Sequence, residues 1–446
     1  MLARRSSAPT PADAVDALRR LPAARRLLEA AAGREDVWVV GGAVRDLLLG
    51  RAPHELDVVV VGPPDDLLPR LGPVVARHER FGTATVEAQP GVRYDVARAR
   101  RETYPRPGAL PEVAWVGAIE DDLGRRDVSV NAIAVRPADG TWAAVPGALD
   151  DLRAGVLRVL HDASFRDDPT RVWRVARYAG RLGFAVGSRT RELAGAADPF
   201  AISGARHGSE LRLALREPDP ERVLATLQGL NARFLPPGFD PAPRGVDEAL
   251  ALLPVGARAD LVRLAACCAA VALPHLLPWL QDLGFTAAER EIVGAGSRAV
   301  TGSPLRAART PAEIHRAASG APDEVVALAG GPNARRWFDG LRDVRLTIDG
   351  NDLRRAGVPA GPALGARLRR ALDAKLDGRL DPALPAPEAE LAAALADGPE
   401  DAAPTSGPAP GGATAGAATA PAGPARDASR PGTRPGAPDG TEGTRG

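Results

Sequence analysis

Cysteine and lysine are almost missing from this chain. Its 446 residues include two cysteines, the adjacent Cys267 and Cys268, which are too few for a disulfide framework or a cysteine-rich zinc site. The 57 basic residues include a single lysine, Lys375, so the positive charge of the chain is carried almost entirely by arginine. The six histidines are scattered and show no H-E-x-x-H spacing, which excludes that type of zinc motif.

A large net charge and long apolar runs are also missing. The 57 basic and 56 acidic residues leave a net charge of +1, which excludes a polycation that holds nucleic acid by bulk charge. Any nucleic-acid site must therefore be a local patch. No apolar run reaches about 18 residues, so we expect no transmembrane helix and no membrane partner. The basic N-terminus lacks an apolar stretch after it, so we predict no signal peptide and a cytoplasmic location.

The composition that remains is that of an ordinary globular protein, with 45% apolar and 25% charged residues. Its length predicts two to four domains. Residues 1–34 show helical spacing. Residues 35–147 contain short apolar runs and glycine-rich turns, which predict a mixed α+β region. The expected elements of this region are strands at 37–42 and 54–62, a hairpin formed by 80–88 and 92–100, and a long loop at 101–120.

Strand signals end near residue 148. Amphipathic helical windows then recur, and we divide them into segments 148–200, 201–300 and 301–392. Residues 393–446 are rich in alanine, glycine and proline, and cannot bury enough apolar surface to offset the entropy lost on ordering. We predict that they form a disordered tail.

A glycine pair separates the first predicted strand from the helix that follows. Gly41 and Gly42 would let the backbone approach a phosphate closely, and the free N–H groups of the helix would face it. Arg45, in the first helical turn, can bind phosphate oxygens with its forked guanidinium. The alternative interpretation is a plain tight turn.

Two acidic residues begin the second apolar strand. Glu55 and Asp57 are two positions apart, so in a strand both side chains point to one face, about 6.5–7 Å apart along the chain. Carboxylates placed in this way can hold one or two Mg²⁺ ions that also bind substrate phosphates. Asp95, in a neighbouring predicted strand, is a candidate third ligand. The alternative is a solvent-facing acidic pair without a ligand.

Two basic segments can recognise a nucleotide. Arg126 and Asp127, in RRDVSVNAIAV (125–135), can contact a triphosphate and a ribose hydroxyl, although a surface ion pair is the alternative. The segment DDPTRVWRVARYAGRLGF (167–184) predicts a helix with its arginines in one stripe roughly 120° wide, which is either a phosphate-binding wall or a solvated face. The arginines of this stripe are Arg171, Arg174, Arg177 and Arg181.

The start of that helix can also read a base. Cytosine and adenine both present an amino donor beside a ring-nitrogen acceptor on their pairing edge. Asp168 can accept from the amino group while Arg171, one turn later, donates to the ring nitrogen, and such matching is worth about 1–3 kcal/mol. Asp168 followed by proline is also a typical helix cap, and the two roles are compatible.

In this order, these segments resemble the tRNA nucleotidyltransferase/poly(A) polymerase family, in particular its bacterial-type CCA-adding enzymes. The resemblance extends over about residues 35–380. The segments that carry it are GGAVRDLLLGR (41–51), ELD (55–57), RRDVSVNAIAV (125–135), DDPTRVWRVARYAGRLGF (167–184), SGARHGSELRLAL (203–215) and LTIDGNDLRRAGVPAGPALGARL (346–368).

The resemblance implies an α+β nucleotidyltransferase head with a mixed β-sheet at 35–147. A helical neck (148–200), a helical body (201–300) and a helical, tRNA-contacting tail (301–392) would follow it. The implied reaction is template-independent addition of CMP and AMP, from CTP and ATP, to the 3′ end of tRNA. The implied roles are Mg²⁺ binding by Glu55 and Asp57, phosphate contacts from Gly42 and Arg45, nucleotide contact from Arg126, ribose contact from Asp127, base reading by Asp168 and Arg171, and triphosphate support from Arg174 and Arg177.

The chain departs from the family pattern at three places. Glu55 stands where the first metal ligand is usually Asp, Val128 and Ser129 replace Phe and Thr, and Asp167 replaces a commoner Glu. Poly(A) synthesis, CC-only addition and A-only addition would show the same motifs, so they stay open as alternatives. A degenerate RNA-binding protein without catalysis is the alternative outside enzymes. The loop at 101–120 lies where family members carry a flexible loop that is linked to switching from C to A addition.

Overall fold

The computed structural model describes residues 10–53 and 55–396. It confirms the α+β class, with a mixed sheet in the N-terminal third and helices after it. Most of the predicted disordered tail, from residue 397 onward, lies outside the described residues. The last described helix ends at Leu395, so helical structure continues three residues past the predicted start of that tail at 393.

The head consists of one large sheet with helices against it. Its helices are α1 (Pro11–Arg20), α2 (Arg25–Ala30), α3 (Gly42–Leu48), α4 (Leu68–Leu71) and α5 (Ile119–Gly124). Its strands are β1 (Val37–Val40), β2 (Leu56–Val60), β3 (Val74–His78), β4 (Thr83–Gln89), β5 (Val92–Arg98), β6 (Arg100–Thr103), β7 (Glu112–Trp115), β8 (Ile133–Val135) and β9 (Trp142–Ala144).

The large sheet has the strand order β3-β4-β5-β2-β1-β8-β9. Strands β2 and β5 are parallel, and the other neighbours in this sheet are antiparallel, which makes the sheet mixed as predicted. The centre is buried on both faces. On β1, Val37 and Val39 pack into one apolar cluster, whereas Trp38 and Val40 pack into the other. A short strand covered on both faces is expected to be continuously apolar, as this one is.

The prediction of a long loop at 101–120 is wrong in part. The segment contains the antiparallel hairpin β6–β7 and the start of α5, so only 104–111 and 116–118 are loops. The segment contains three prolines and two glycines, which are typical of loops, and the two four-residue strands are too short to show a clear strand period beside them. The loop contacts the helical part, because Gly108 donates to the carbonyl of Asp167 at 3.1 Å and accepts from Arg206 at 2.8 Å.

The rest of the described chain is mainly helical. Its helices are α6 (Ala148–Ala154), α7 (Ser164–Asp167), α8 (Thr170–Leu182), α9 (Ser188–Ala196), α10 (Gly204–Leu215), α11 (Pro220–Leu230), α12 (Val246–Leu252), α13 (Ala259–Cys267), α14 (Leu273–Asp282), α15 (Ala287–Thr301), α16 (Pro304–Ala307), α17 (Pro311–Ala318), α18 (Asp323–Ala329), α19 (Gly331–Asp339), α20 (Gly350–Arg355), α21 (Pro362–Leu376) and α22 (Ala386–Leu395). The predicted all-helical neck needs one correction, because β10 (Val156–Leu157) and β11 (Ala185–Val186) form a parallel pair too short to show a period. None of the described helices has the length and apolarity to cross a membrane.

The only lysine of the chain supports the C-terminal helices. Glu390 on α22 is fully buried, and its carboxylate accepts from Lys375 on α21 at 2.7 Å. It also accepts from the backbone N–H and hydroxyl of Thr347, each at 2.7 Å, and from the Ile348 N–H at 3.2 Å. Burial favours the neutral acid, but these donors hold the pKa of Glu390 below its usual value. The carboxylate thereby joins α21, α22 and the segment before α20.

We therefore expect Glu390→Ala to lower the free energy of unfolding by about 2–3 kcal/mol, because it leaves the donors of Thr347 and Ile348 without this acceptor and removes the carboxylate that pairs with Lys375. Urea unfolding of the full chain measures this change. Glu388→Ala is the matched control, since Glu388 lies on the same helix but is exposed and should change stability by at most about 0.5 kcal/mol. Equal effects of the two substitutions would contradict the role of Glu390.

Candidate active site

The turn between β1 and α3 lies directly against a carboxylate. Val40, the last residue of β1, pairs with Asp57 of β2, and the chain then turns at Gly41 with a φ of 72°. A Cβ at Gly41 would lie 2.8 Å from Nη1 of Arg126 and 3.2 Å from Oδ2 of Asp57. Glycine is therefore required both for the backbone conformation and for the close approach.

Glu55 and Asp57 line one cavity, as their spacing predicts. Glu55 is exposed and Asp57 is half-buried. Burial raises the pKa of Asp57 to about 6; the guanidinium of Arg126 opposes this increase, while the charges of Asp95 and Glu55 add to it. The protein therefore leaves negative charge at this point incompletely compensated, which favours the binding of a cation.

The donor set fits Mg²⁺ in the way the sequence predicts. Hard carboxylate oxygens suit this ion, which is typically held by one or two carboxylates together with substrate phosphates and water. Within residues 10–53 and 55–396, no group of three or more Asp, Glu, His or Cys side chains forms a complete metal site. An ion on Glu55 and Asp57 would therefore need ligands from the substrate.

Asp95 does not join this pair in the cavity. It is the register neighbour of Asp57, but it lies on β5, on the side of β2 away from β1 and the Gly41 turn. Its carboxylate is exposed and accepts from the hydroxyl of Thr85 at 2.7 Å. The structure thus gives Asp95 a hydrogen-bonded position on the sheet outside the cavity lining.

Arginines supply most of the charged side chains that line this cavity. The cavity has a volume of about 310 Å³ and includes Gly41, Gly42 and Asn131 in its lining. Its charged and aromatic lining residues are Arg45, Asp46, Glu55, Asp57, Arg126, Arg174, Arg177, Tyr178 and Arg181. The helix α3 has only seven residues, so guanidinium groups rather than a long helix dipole supply the positive charge.

Protein groups fix Arg45 from α3 in place. It is 2% exposed and donates to the side chains of Asn131 at 2.6 Å and Asp46 at 2.8 Å. Arg126 is less constrained, because it donates through Nη2 to Asp122 at 3.1 Å while its buried Nε has no acceptor in the structure. Nη1 of the same guanidinium lies against the Gly41 turn, and a guanidinium with an unsatisfied buried donor suits an anionic ligand.

Asp127 connects the head to the arginine stripe of α8. It is 5% exposed, and Oδ2 accepts from Nε of Arg174 at 2.7 Å and from the hydroxyl of Tyr178 at 2.9 Å. Oδ1 accepts from the Val128 N–H at 2.8 Å and from Asn131 at 3.3 Å. Burial alone would raise the pKa of Asp127, but Arg174 and the hydrogen bond from Tyr178 hold it well below its usual value. Asp127 thus contacts protein donors and does not line the cavity.

The stripe on α8 forms part of the site rather than a solvated face. Arg177 donates to Glu217 at 2.9 Å and to Glu210 at 3.2 Å, and Arg181 also binds Glu217. Glu217 is buried, and although burial raises the pKa of its carboxyl, the hydrogen bonds from the two arginines hold it below its usual value. Sequence reasoning missed Glu217, which follows the end of α10 and carries no local signal.

Asp168 and Arg171 lie outside the cavity lining. Oδ1 of Asp168 accepts from the N–H and hydroxyl of Thr170 at 3.1 and 2.7 Å, in agreement with the predicted cap, and from Arg206 at 2.9 Å. Arg171 is 5% exposed and donates to the hydroxyl of Ser164 and the carbonyl of Arg125, each at 2.9 Å. Both side chains are therefore engaged by protein groups in this structure.

The structure thus brings together seven of the predicted site residues and separates four from them. The lining contains Gly42, Arg45, Glu55, Asp57, Arg126, Arg174 and Arg177, whereas Asp95, Asp127, Asp168 and Arg171 lie beside it. Sequence reasoning also missed Tyr178 and Asp122. Tyr178 falls within the same helical stripe as the arginines, and Asp122 lies one helical turn before Arg126, so spacing provides a signal for each.

The comparisons with known proteins agree with this geometry. Residues 37–158 match the poly A polymerase head domain. An A-adding tRNA nucleotidyltransferase of Geobacter sulfurreducens is 39% identical over 219 residues, which cover 46% of this chain and 25% of the relative. A CC-adding tRNA nucleotidyltransferase of Deinococcus radiodurans is 41% identical over 213 residues, which cover 46% of this chain and 56% of the relative. The chain therefore spans between a quarter and just over half of the length of these curated relatives.

The similarity in fold extends beyond the residues that match in sequence. The solved structure of a CCA-adding enzyme in apo form II matches with a TM-score of 0.71, and the match covers 86% of this chain and 98% of that chain. The two sequences are 24% identical, so this comparison shows the same fold, including the helical part that follows the head.

Proposed function

We propose that this chain is a member of the tRNA nucleotidyltransferase/poly(A) polymerase family and that it adds CMP and AMP to the 3′ end of tRNA. The match of residues 37–158 to the poly A polymerase head domain and the similarity to tRNA nucleotidyltransferases support this proposal. CTP and ATP are the donors, no template strand takes part, and pyrophosphate is released. One observation carries this proposal: Glu55 and Asp57 share the lining of a single cavity with five arginines. Carboxylates and guanidiniums in one cavity suit a reaction in which a hydroxyl attacks a triphosphate.

Glu55 and Asp57 would hold Mg²⁺ in this reaction. When bound, the ion would lower the pKa of the terminal 3′-hydroxyl and stabilise charge that develops on the α-phosphate. Arg126 and Arg174 bind and orient the triphosphate. Because the reaction needs little covalent chemistry from the protein, positioning and charge stabilisation supply most of the rate.

Base selection is assigned to Asp168 and Arg171. Asp168 binds Arg206 in this structure, so reading an amino group requires this contact to be exchanged. Arg171 is held by Ser164 and the carbonyl of Arg125, which orient its guanidinium. Asp127 contacts the ribose in this proposal, which also requires one of its four protein donors to be exchanged. The helical segment 301–392 contacts tRNA. The cytoplasm stays the predicted compartment.

We expect Arg171→Ala to relax the choice of base more than it weakens triphosphate binding, because bidentate pairing on a base edge is worth about 1–3 kcal/mol. Incorporation of each of the four nucleotides onto tRNA, with the dissociation constant of pyrophosphate, measures both effects. Arg171→Lys is the companion variant, since it keeps a donor for Ser164. Unchanged incorporation ratios in both variants would contradict the assignment.

The extent of addition separates the candidates within the family. The curated relatives include both an A-adding and a CC-adding enzyme, so similarity alone leaves CC-only, A-only and poly(A) addition as alternatives. The test incubates the full chain with Mg²⁺ and tRNA that lacks its last three nucleotides. A sequencing gel compares CTP alone, ATP alone and both. Addition of three nucleotides only when both are present supports CCA synthesis, and no addition under any condition refutes the proposal.

Substitution of Glu55 tests the alternative that the chain is an RNA-binding protein without catalysis. If the chain transfers nucleotides, Glu55→Asp should change the rate of an existing activity. If Glu55→Asp creates activity in a chain that had none, the natural protein is a binding module. Binding of trimmed tRNA, measured for both forms, shows whether the comparison is made between equally folded proteins.

A further inference from the structure

Tyr178 is a polar aromatic residue in the cavity that the proposed reaction does not use. It lies on α8, one turn after Arg174, and its side chain lines the same cavity as Glu55 and Asp57. The guanidinium carbons of Arg45 and Arg174 lie 5.7 and 5.9 Å from the centre of its ring. The ring is therefore close to two of the arginines that line the cavity.

The hydroxyl of Tyr178 closes a triangle of hydrogen bonds. It donates to Oδ2 of Asp127 at 2.9 Å and accepts from Nη2 of Arg174 at 2.9 Å. Nε of Arg174 donates to the same carboxylate oxygen at 2.7 Å. Burial raises the pKa of Tyr178 to about 12, so the phenol stays protonated and can act as donor and acceptor at once.

This triangle determines which donors of Arg174 remain for a ligand. A guanidinium has five N–H groups in a planar, forked arrangement. Two of them are used by Asp127 and Tyr178, on one edge of the group. Because Nε and Nη2 are both held, the plane of the guanidinium cannot rotate, and Nη1 extends from the opposite side. The side chain remains partly exposed, in agreement with an open edge.

We infer that Tyr178 is a positioning residue whose hydroxyl aims Arg174 at the phosphates of the nucleotide. The inference rests on the proposed function, since that function brings phosphates into the cavity. Asp127 alone holds Arg174 at one atom and permits rotation about that contact. The second contact, from the phenol, removes this freedom, and preorganised donors bind an anion with a smaller loss of entropy.

The test is the affinity of the full chain for inorganic pyrophosphate, measured by calorimetry with Mg²⁺ and without tRNA. We expect Tyr178→Phe, which keeps the ring and removes one hydroxyl, to weaken pyrophosphate binding about fivefold, the effect of one net hydrogen bond. The matched control is Tyr94→Phe. Tyr94 is buried in the head, and its hydroxyl donates to the carbonyl of Ala23, away from the cavity. This control should leave the affinity unchanged.

Further measurements test whether the hydroxyl of Tyr178 acts through Arg174. In an Arg174→Gln background, in which glutamine can still donate to Asp127, Tyr178→Phe should cause no further loss of affinity. An unchanged affinity in the single variant, or a full fivefold loss without Arg174, overturns the inference. Tighter binding of CTP by Tyr178→Phe also overturns it, because the hydroxyl would then occupy a position that the ribose needs. If the unmodified chain does not bind pyrophosphate, the proposed function itself fails.

Discussion

Replacing Asp57 with asparagine should reduce nucleotide addition by at least about 1,000-fold without lowering the stability of the fold. Asp57 is the carboxylate that lies against the Gly41 turn, so its loss removes the central ligand proposed for Mg²⁺. The measurement is the initial rate of addition to trimmed tRNA. Asp95→Asn is the matched control, because Asp95 is the register neighbour on β5 but does not line the cavity.

The change in stability that Asp57→Asn causes should not be a loss. The pKa of Asp57 rises from its ordinary value to about 6 in the folded chain, chiefly because of burial. A carboxyl with a raised pKa destabilises the fold progressively as the pH increases from about 4 through that value, because the folded state must then hold an unfavourable charge. The neutral amide in Asp57→Asn removes this cost. In EDTA at about pH 7, the midpoint of thermal unfolding should therefore be equal or higher.

Two results would contradict this prediction. A large residual rate in Asp57→Asn would show that the reaction does not depend on this carboxylate. An equal loss of rate in Asp95→Asn would show that the reaction depends on Asp95 as much as on Asp57, and that a position in the cavity lining does not decide which carboxylates the reaction needs.

Replacing Asp127 with asparagine should lower the free energy of unfolding by about 3 kcal/mol, because a buried acceptor of four hydrogen bonds becomes a group that accepts and donates. Two of the donors around it would then face an N–H, either Arg174 and Tyr178 at the position of Oδ2 or Val128 and Asn131 at the position of Oδ1. Pyrophosphate binding should weaken as well, since Arg174 loses its anchor. Urea unfolding and calorimetry of the full chain measure the two effects.

The effect of Asp127 should depend on pH in the opposite direction to that of Asp57. Its pKa in the folded chain is well below the ordinary value, because Arg174 and Tyr178 stabilise the ionised form against the cost of burial. Its contribution is complete above about pH 4 and is lost as the pH falls through the lower, folded value. The stability difference between the natural chain and Asp127→Asn should therefore be larger at about pH 7 than at about pH 3.

Asp139→Asn is the control for this experiment. Asp139 also forms an ion pair, with Arg136 at 2.7 Å, but the carboxylate is largely exposed. Solvent screens such a pair, so the substitution should change stability by at most about 0.5 kcal/mol. If both substitutions cost the same, burial of Asp127 does not determine its contribution.

The sequence was a good guide wherever a short-range period carries the information. The apolar run before Gly41 forms β1, and Glu55 and Asp57 line one cavity, although Glu55 lies one residue before the start of β2. The helical period likewise grouped the arginines of α8, of which Arg174, Arg177 and Arg181 line that cavity. Prediction was weaker for the hairpin β6–β7 and the pair β10–β11. Strands of four and two residues are too short to show a period beside prolines and glycines.

By itself, the sequence determined the class of the fold, the order of its motifs and the chemistry on each face of β2 and α8, because these follow from neighbours a few positions apart. Only the tertiary structure decided which of these groups meet. It kept Asp95 out of the cavity, bound Asp168 to Arg206, and joined Asp127 to Arg174 and Tyr178. Such contacts join residues up to 51 positions apart, as between Asp127 and Tyr178. These contacts depend on how whole helices and strands pack, and no local sequence pattern predicts that packing.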